Sequence, residues 1–378
     1  MFDLILKIFL FLSPIIFLFF QQFPLLNGKI AGLQFYQFGF FTTNTEVIQQ
    51  QFFQYGVVIL FIVALFSKQA RVIKDKSLGL LLIVCILGVI WHTKTIKSFY
   101  SIFLGFLLFY LVATYTKNIK PVLKIIVVVS ILNTLFAVLQ FFNINLIYSP
   151  KYTVNTSFGG SEIFGLMSYK TQLGIYQALS IPICYLFNPF LSIIPLIGLL
   201  LSKSLTAVIC ALIGSFYLLR EKISRIRFSY IYFMVFISLI VVYSIRLFLN
   251  FNHKLDLRLD VWSYSLKMFF KNWFYGAGLG LFKYQGALTT YQNPYSFYLQ
   301  VANGLGILGF LALLFFIKDK LVGINKENIT AKVLFCSCLI LVLSGLGYCL
   351  LDYPRLAGTT IVLFGLLTII KKEVRNED

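Results

Sequence analysis

The chain has 378 residues, of which 59% are hydrophobic and 12% charged, and its mean hydropathy is +0.88. Soluble domains carry about 25% charged residues, so this composition excludes a soluble domain and describes an integral membrane protein. The 32 basic against 13 acidic residues give a net charge of +19. Most of these cations sit in short connections between apolar runs, where the positive-inside rule and anionic headgroups account for them and nucleic acid does not.

Apolar runs of about 16–25 residues can each cross a hydrocarbon core of ~30 Å. The pattern predicts an all-α, polytopic transmembrane helix bundle of about 12 spans, forming a single integral membrane domain over 1–378. The spans fall near 4–22, 52–67, 78–94, 98–116, 121–147, 163–187, 189–202, 204–219, 228–249, 295–317, 333–351 and 356–370. The first lacks a small-residue cleavage site and reads as a span rather than a removed signal. The seventh and eighth are short and joined through Ser202, Lys203 and Ser204, as in a hairpin that does not fully cross. With the N-terminus in the cytoplasm, seventeen lysines and arginines fall in inner loops, Lys320 among them, and eleven in outer ones. Both termini are then expected to be cytoplasmic, and 250–294 is expected to be a large extracytoplasmic loop. The six cysteines lie in apolar runs and show neither zinc spacing nor a disulfide framework. No internal repeat or inverted pair of broken helices is present, which argues against a secondary transporter.

The stretch from Asn250 to Gly309 is polar, helical at its start and glycine-rich in the middle. Helical spacing puts Asp256, Asp260, Ser263, Lys267 and Lys271 on one face of a surface helix and Trp262, Leu266, Phe269 and Trp273 on the other. Arg258 falls on the apolar side, one turn before Trp262. A guanidinium there must find an anion, a carbonyl or water, and simple snorkelling is the plain alternative. Gly276, Gly278 and Gly280 form a GxGxG with no strand before it, which reads as a close turn rather than a nucleotide loop. His92 reads as interfacial, and His253 as a solvated loop residue with a role as base the alternative.

Ionisable residues inside spans are costly and point to function. Lys170 lies just inside the sixth span beside Thr171 and Gln172, with Gln177 below it. Lys203 caps the hairpin, and Arg246 lies near the outer end of the ninth span. Together with Arg258 these cations are expected at the outer membrane boundary, an arrangement suited to a phosphate-bearing ligand. Independent snorkelling to headgroups is the competing explanation.

The segment RLDVWSYSLKMFFKNWFYGAGLGLF resembles the signature of the O-antigen ligase and O-antigen polymerase superfamily. Arg258, Trp262, Gly276 and Gly278 match that signature, while Trp273 stands where proline is usual. YSFYLQVANGLGILG is similar to the segment that follows in the family, with Ser296, Tyr298, Leu299, Gly306 and Gly309 fitting without a gap. GLMSYKTQLGIYQALSIPI and LLLSKSLTAVICAL are similar to its weaker middle boxes. The family's histidine falls on Tyr295 and its glutamate on Gly304. The resemblance implies a metal-independent membrane glycosyltransferase without cofactor, in the bacterial inner membrane with its active face periplasmic. It would move a glycan from an undecaprenyl-pyrophosphate carrier to an acceptor hydroxyl. The acceptor would be another glycan for a polymerase, or lipid A–core for a ligase. A non-enzymatic flippase of lipid-linked sugars would use the same cations. Arg258 would stabilise the leaving pyrophosphate, with Lys170, Lys203, Arg246, Gln172 and Trp262 contacting the substrate. A tyrosine with a pKa near ~10 is a poor base, so Tyr295 in the histidine's place leaves that role to another group. Glu162 is the best placed of the outer candidates, which also include Asp260, His253 and Asp352.

Overall fold

A computed structural model describes residues 2–13, 45–67, 75–142, 163–167, 169–223, 252–286, 290–291, 293–324, 328–350 and 354–377. These residues are almost wholly helical. The helices are α1 (Phe2–Leu12), α2 (Thr45–Leu65), α3 (Lys76–Trp91), α4 (Ile96–Tyr115), α5 (Ile119–Phe141) and α6 (Lys170–Phe187). They continue with α7 (Ile193–Leu201), α8 (Leu205–Ile223), α9 (Asn252–Lys271), α10 (Phe297–Leu321), α11 (Ile329–Ser344) and α12 (Pro354–Glu377). A two-residue hairpin of β1 (Tyr284–Gln285) and β2 (Thr290–Tyr291) interrupts the stretch between α9 and α10.

Among the described residues, three segments are long and apolar enough to cross a membrane: Ser98–Tyr115, Ile119–Phe141 and Phe297–Leu321. Six further apolar helices are shorter. Large apolar side chains such as Tyr55, Leu65, Phe66 and Phe190 stand on the outer surface, 64–80% exposed. An apolar exterior is what lipid as solvent permits. The expected ninth span, 228–249, and the loop at 148–162 lie outside the described residues. The sixth expected span begins as helix only at Lys170, and the eleventh ends as helix at Ser344.

α6 is the centre of one half of the bundle. Every residue from Gln172 to Cys184 is buried, and the helix packs against α5, α7, α8 and α11. In the other half α10 packs on α3 and α12 on α4, with α2 alongside α4. α11 and α12 join the halves. The buried polar side chains are used locally. Ser130 on α5 donates to Gln177 Oε1 at 2.6 Å, and Gln177 returns a bond to the Ser130 carbonyl at 3.1 Å. Satisfied in this way, Gln177 holds helix to helix.

One end of the bundle carries a buried ion cluster. Lys320, 3% exposed, pairs with Asp75 and, at 3.0 Å, with Asp319. The Ser77 hydroxyl lies 2.8 Å from both carboxylates. The ammonium also sits over the rings of Phe109 at 5.6 Å and Phe316 at 5.3 Å. Lys320, counted above as a loop cation, is therefore an internal tie between α3 and α10. Burial alone would raise the Asp75 carboxyl. Hydrogen bonds from Lys320, the Leu78 N–H and Ser77, with the charge of Lys320, outweigh that and hold it below the ordinary 3.8.

Candidate functional site

The stretch after α9 is built into a break in α10. Gly306 has φ +65 and ψ −160, a conformation open essentially to glycine alone. The interruption frees backbone groups of α10, and the turn after α9 satisfies them. The Ile307 N–H donates to the Trp273 carbonyl at 2.7 Å, while the N–H groups of Ala277 and Gly278 donate to the carbonyls of Asn303 and Gly304. Gly276, Gly278 and Gly280 all have positive φ, so the GxGxG is a close turn as expected. Its depth was not foreseen: a Cβ on Gly276 would stand 2.5 Å from Gly304 backbone atoms. His92, expected to be merely interfacial, donates from Nε2 to the Gly276 carbonyl at 3.1 Å and pins the turn from the α3 side.

This docking fixes how α9 faces the bundle, and it differs from the face expected. Val261 and Ser265 are buried, whereas Leu266 is 44% and Trp273 55% exposed. Ser265 receives a hydrogen bond from Asn303 Nδ2 on α10. Small and polar residues make the close helix contact and the large apolar ones are left outside. Asp260, Ser263, Lys267 and Lys271 are exposed, as the polar face requires.

Arg258 is turned inward and half-buried. Its Nη1 donates to the Gly347 carbonyl at 3.5 Å, and its guanidinium lies 5.5 Å from the centroid of the Tyr295 ring. Burial lowers the guanidinium below its usual value, offset in part by the hydroxyls of Tyr295 and Tyr348. Tyr295 is held at φ +52, with its N–H on Asn293 Oδ1 at 3.3 Å. Burial and the neighbouring Tyr291 raise its hydroxyl above the ordinary 10.0, against the lowering effect of Arg258. Tyr295 therefore offers even less phenolate at neutral pH than an exposed tyrosine does.

The carbonyl that Arg258 reaches belongs to the turn after α11. Next to it, Tyr348 receives a hydrogen bond from Gln172 Nε2 at 2.9 Å. Gln172 is placed by the first turn of α6, and the irregular segment leading into that turn is set by α5. Gln140 Oε1 accepts from the N–H groups of Phe164 and Gly165, and Asn133 Oδ1 from that of Leu166. Arg258, Tyr295, Tyr348 and Gln172 therefore meet where α6, α9, α10 and α11 converge. Lys170 is the first residue of α6 and half-buried, while Lys203 is exposed in the α7–α8 turn at φ +52. That turn abuts α6 at Gly174, where an added Cβ would stand 2.7 Å from Ser202. Trp262 is half-buried one turn from Arg258, and its indole N–H is enclosed with no hydrogen-bond partner among the described residues. Glu162, Arg246 and Asp352 lie outside the described residues, as does the side chain of His253.

Sequence reasoning missed Tyr348 because it lay inside an expected span. Its flanking glycines, Gly345 and Gly347, were the available signal that the helix stops early.

Beside the site, α2, α3, α4, α10 and α12 enclose an elongated cavity of about 380 Å³. Its walls are mainly apolar, and Gln50, Gln54, Ser98, Ser101 and Gln300 supply polar groups towards one end. Lining residues run along α10 from Tyr298 to Phe316, roughly 27 Å of helix. At the far end Phe109 and Phe316 separate the cavity from Lys320.

No family model matches the chain, and no curated protein is significantly similar to it.

Proposed function

We propose that this chain is a membrane glycosyltransferase that moves an oligosaccharide from a polyprenyl pyrophosphate to an acceptor sugar hydroxyl, in the manner of an O-antigen polymerase. In this reading it spans the bacterial inner membrane about twelve times with both termini in the cytoplasm. The segment carrying α9 and the hairpin then faces the periplasm. The observation that carries the proposal is Arg258: a half-buried guanidinium turned into the bundle and lying over the ring of Tyr295. A guanidinium offers planar, paired donors for short, charge-assisted bonds to a diphosphate.

In the transfer, the acceptor oxygen forms a bond to the anomeric carbon as the bond from that carbon to the pyrophosphate oxygen breaks. The electron pair leaves with the pyrophosphate, and Arg258, aided by Lys170 at the start of α6, stabilises the growing negative charge. Tyr295 does not take the acceptor proton at neutral pH. The departing pyrophosphate, whose oxygens are better bases than a phenol, receives it. Tyr295 acts by positioning the guanidinium, and the polar Tyr348–Gln172 pair fixes the opposite wall. The apolar cavity along α10 suits the hydrocarbon tail of the carrier.

The test is Arg258→Ala in cells that depend on this chain. Surface polysaccharide collapses to single repeat units while the protein still inserts at normal levels. Normal banding in that variant contradicts the proposal. Adding a lipid A–core acceptor to membranes separates the ligase variant of the reaction, which requires it, from the polymerase, which does not.

A further inference from the structure

Aromatic rings lead away from Arg258 in a row. The guanidinium lies over Tyr295, whose ring is 5.8 Å from Tyr291 on β2. Tyr291 is 6.1 Å from Tyr284 on β1, its cross-strand partner. Tyr284 is 5.2 Å from Tyr264 on the outer face of α9. Buried Phe282, 5.8 Å from Tyr264, anchors the far end.

These rings do not serve a core. Tyr264 is 40% exposed, and Tyr284, Tyr291 and Tyr295 are each half-buried. The hairpin they stand on has only two paired residues per strand, far less than an independently stable sheet requires. α9, the hairpin and the residue before Ser296 each contribute tyrosine to one continuous line. A tyrosine offers an apolar face with a polar edge. A pyranose ring is its counterpart, with C–H groups on one face and hydroxyls around the rim. A line of such rings spaced about one sugar apart, ending at a cation, fits a linear glycan whose activated end lies at Arg258.

We propose that Tyr295, Tyr291, Tyr284 and Tyr264 form a glycan track, along which the saccharide chain lies while its reducing end is held at Arg258. The proposal rests on the transferase reading for its direction, but glycan binding itself can be measured without transfer.

The probe is the carrier-free oligosaccharide released by mild acid from the surface polysaccharide of the cells that make this protein. It is titrated into the full chain in lipid nanodiscs and followed by saturation-transfer NMR and calorimetry. Wild type binds saturably, with saturation transferred to C–H protons of several successive sugars. Tyr284→Ala and Tyr264→Ala each weaken binding about five- to tenfold, the worth of one stacked ring. Tyr284→Phe retains it, which guards against loss of the hairpin, and Tyr55→Ala on α2 binds as wild type. Absence of binding, or unchanged affinity in Tyr264→Ala and Tyr284→Ala, overturns the track and leaves the rings as packing for the hairpin. The two readings fail separately. If tyrosine variants lose glycan binding while Arg258→Ala still makes full-length polymer, the track stands and the transferase reading falls. If Arg258→Ala abolishes synthesis while the tyrosine variants bind normally, only the track falls.

Discussion

Replacing Gly306 with alanine tests whether the turn after α9 is docked in the broken α10. The new Cβ would lie 2.5 Å from the Phe274 carbonyl carbon and 2.7 Å from the Gly276 nitrogen. Both are backbone atoms that cannot swing aside as a side-chain tip would. The turn must leave, and with it go the hydrogen bonds to Ile307 N–H and to the carbonyls of Asn303 and Gly304. Three such bonds are worth about 3 kcal/mol net, and forcing alanine into the Gly306 conformation adds about 1–3 kcal/mol. The expected loss is therefore about 4–6 kcal/mol. Undocking also frees the helix that carries Arg258, so activity falls together with stability. Gly79→Ala is the control, because nothing lies within 4 Å of an added Cβ there and alanine favours a helix interior by up to about 1 kcal/mol. The assay is heating in detergent with a thiol-reactive dye, which reports exposure of the six buried cysteines. An unfolding midpoint for Gly306→Ala equal to that of wild type would refute the docked turn as the element that positions α9.

The remaining predictions concern the ion cluster and the aromatic support. Lys320→Met leaves the Asp75 carboxylate without its buried partner, while Asp319 keeps Lys371 at 3.5 Å, and costs about 3–5 kcal/mol, with part of the loss recovered by adding Asp75→Asn. Because the folded Asp75 carboxyl lies below its ordinary 3.8, its contribution is complete above that value and disappears as pH falls through the lower, folded one. Wild type and Asp75→Asn thus differ by a constant amount at neutral pH and converge in midpoint below 3.8; a gap that persists in acid contradicts the assignment. Tyr295→Phe keeps the ring under Arg258 and retains activity within about threefold, whereas Tyr295→Ala loses about tenfold, as removal of a partly desolvated cation–π contact implies. Complete loss in Tyr295→Phe at unchanged expression would make the hydroxyl a participant in the chemistry.

The local features of this protein were legible in its residues. Hydropathy marked the places of α2 to α8 and α10 to α12 but missed some ends by six or seven residues, as at the start of α6 and the end of α11, and the positive-φ turn followed from its three alternating glycines. Arg258 stood out because its helical position conflicted with its charge. What could not be read was long-range pairing of backbone with backbone. Nothing in the periodicity of 273–278 says that it fills a break thirty residues later, and the glycines at 304 and 306 announced only that a helix was weakened. The orientation of α9 was misjudged for a related reason. Period analysis assumes that apolar faces turn inward, whereas Leu266 and Trp273 stand exposed and Ser265 makes the close contact. Lys320 likewise counted as a loop cation because its partner Asp75 is remote in sequence.

The most direct measurement uses the purified chain in nanodiscs with a polyprenyl-pyrophosphate-linked oligosaccharide as both donor and acceptor, following free polyprenyl pyrophosphate and glycan length together. The account predicts that wild type releases the carrier as the glycan grows by whole repeats, and that Arg258→Ala is slower by about 100-fold or more, the scale for losing a donor to a developing anion. Carrier release and chain growth at the wild-type rate in Arg258→Ala would contradict it.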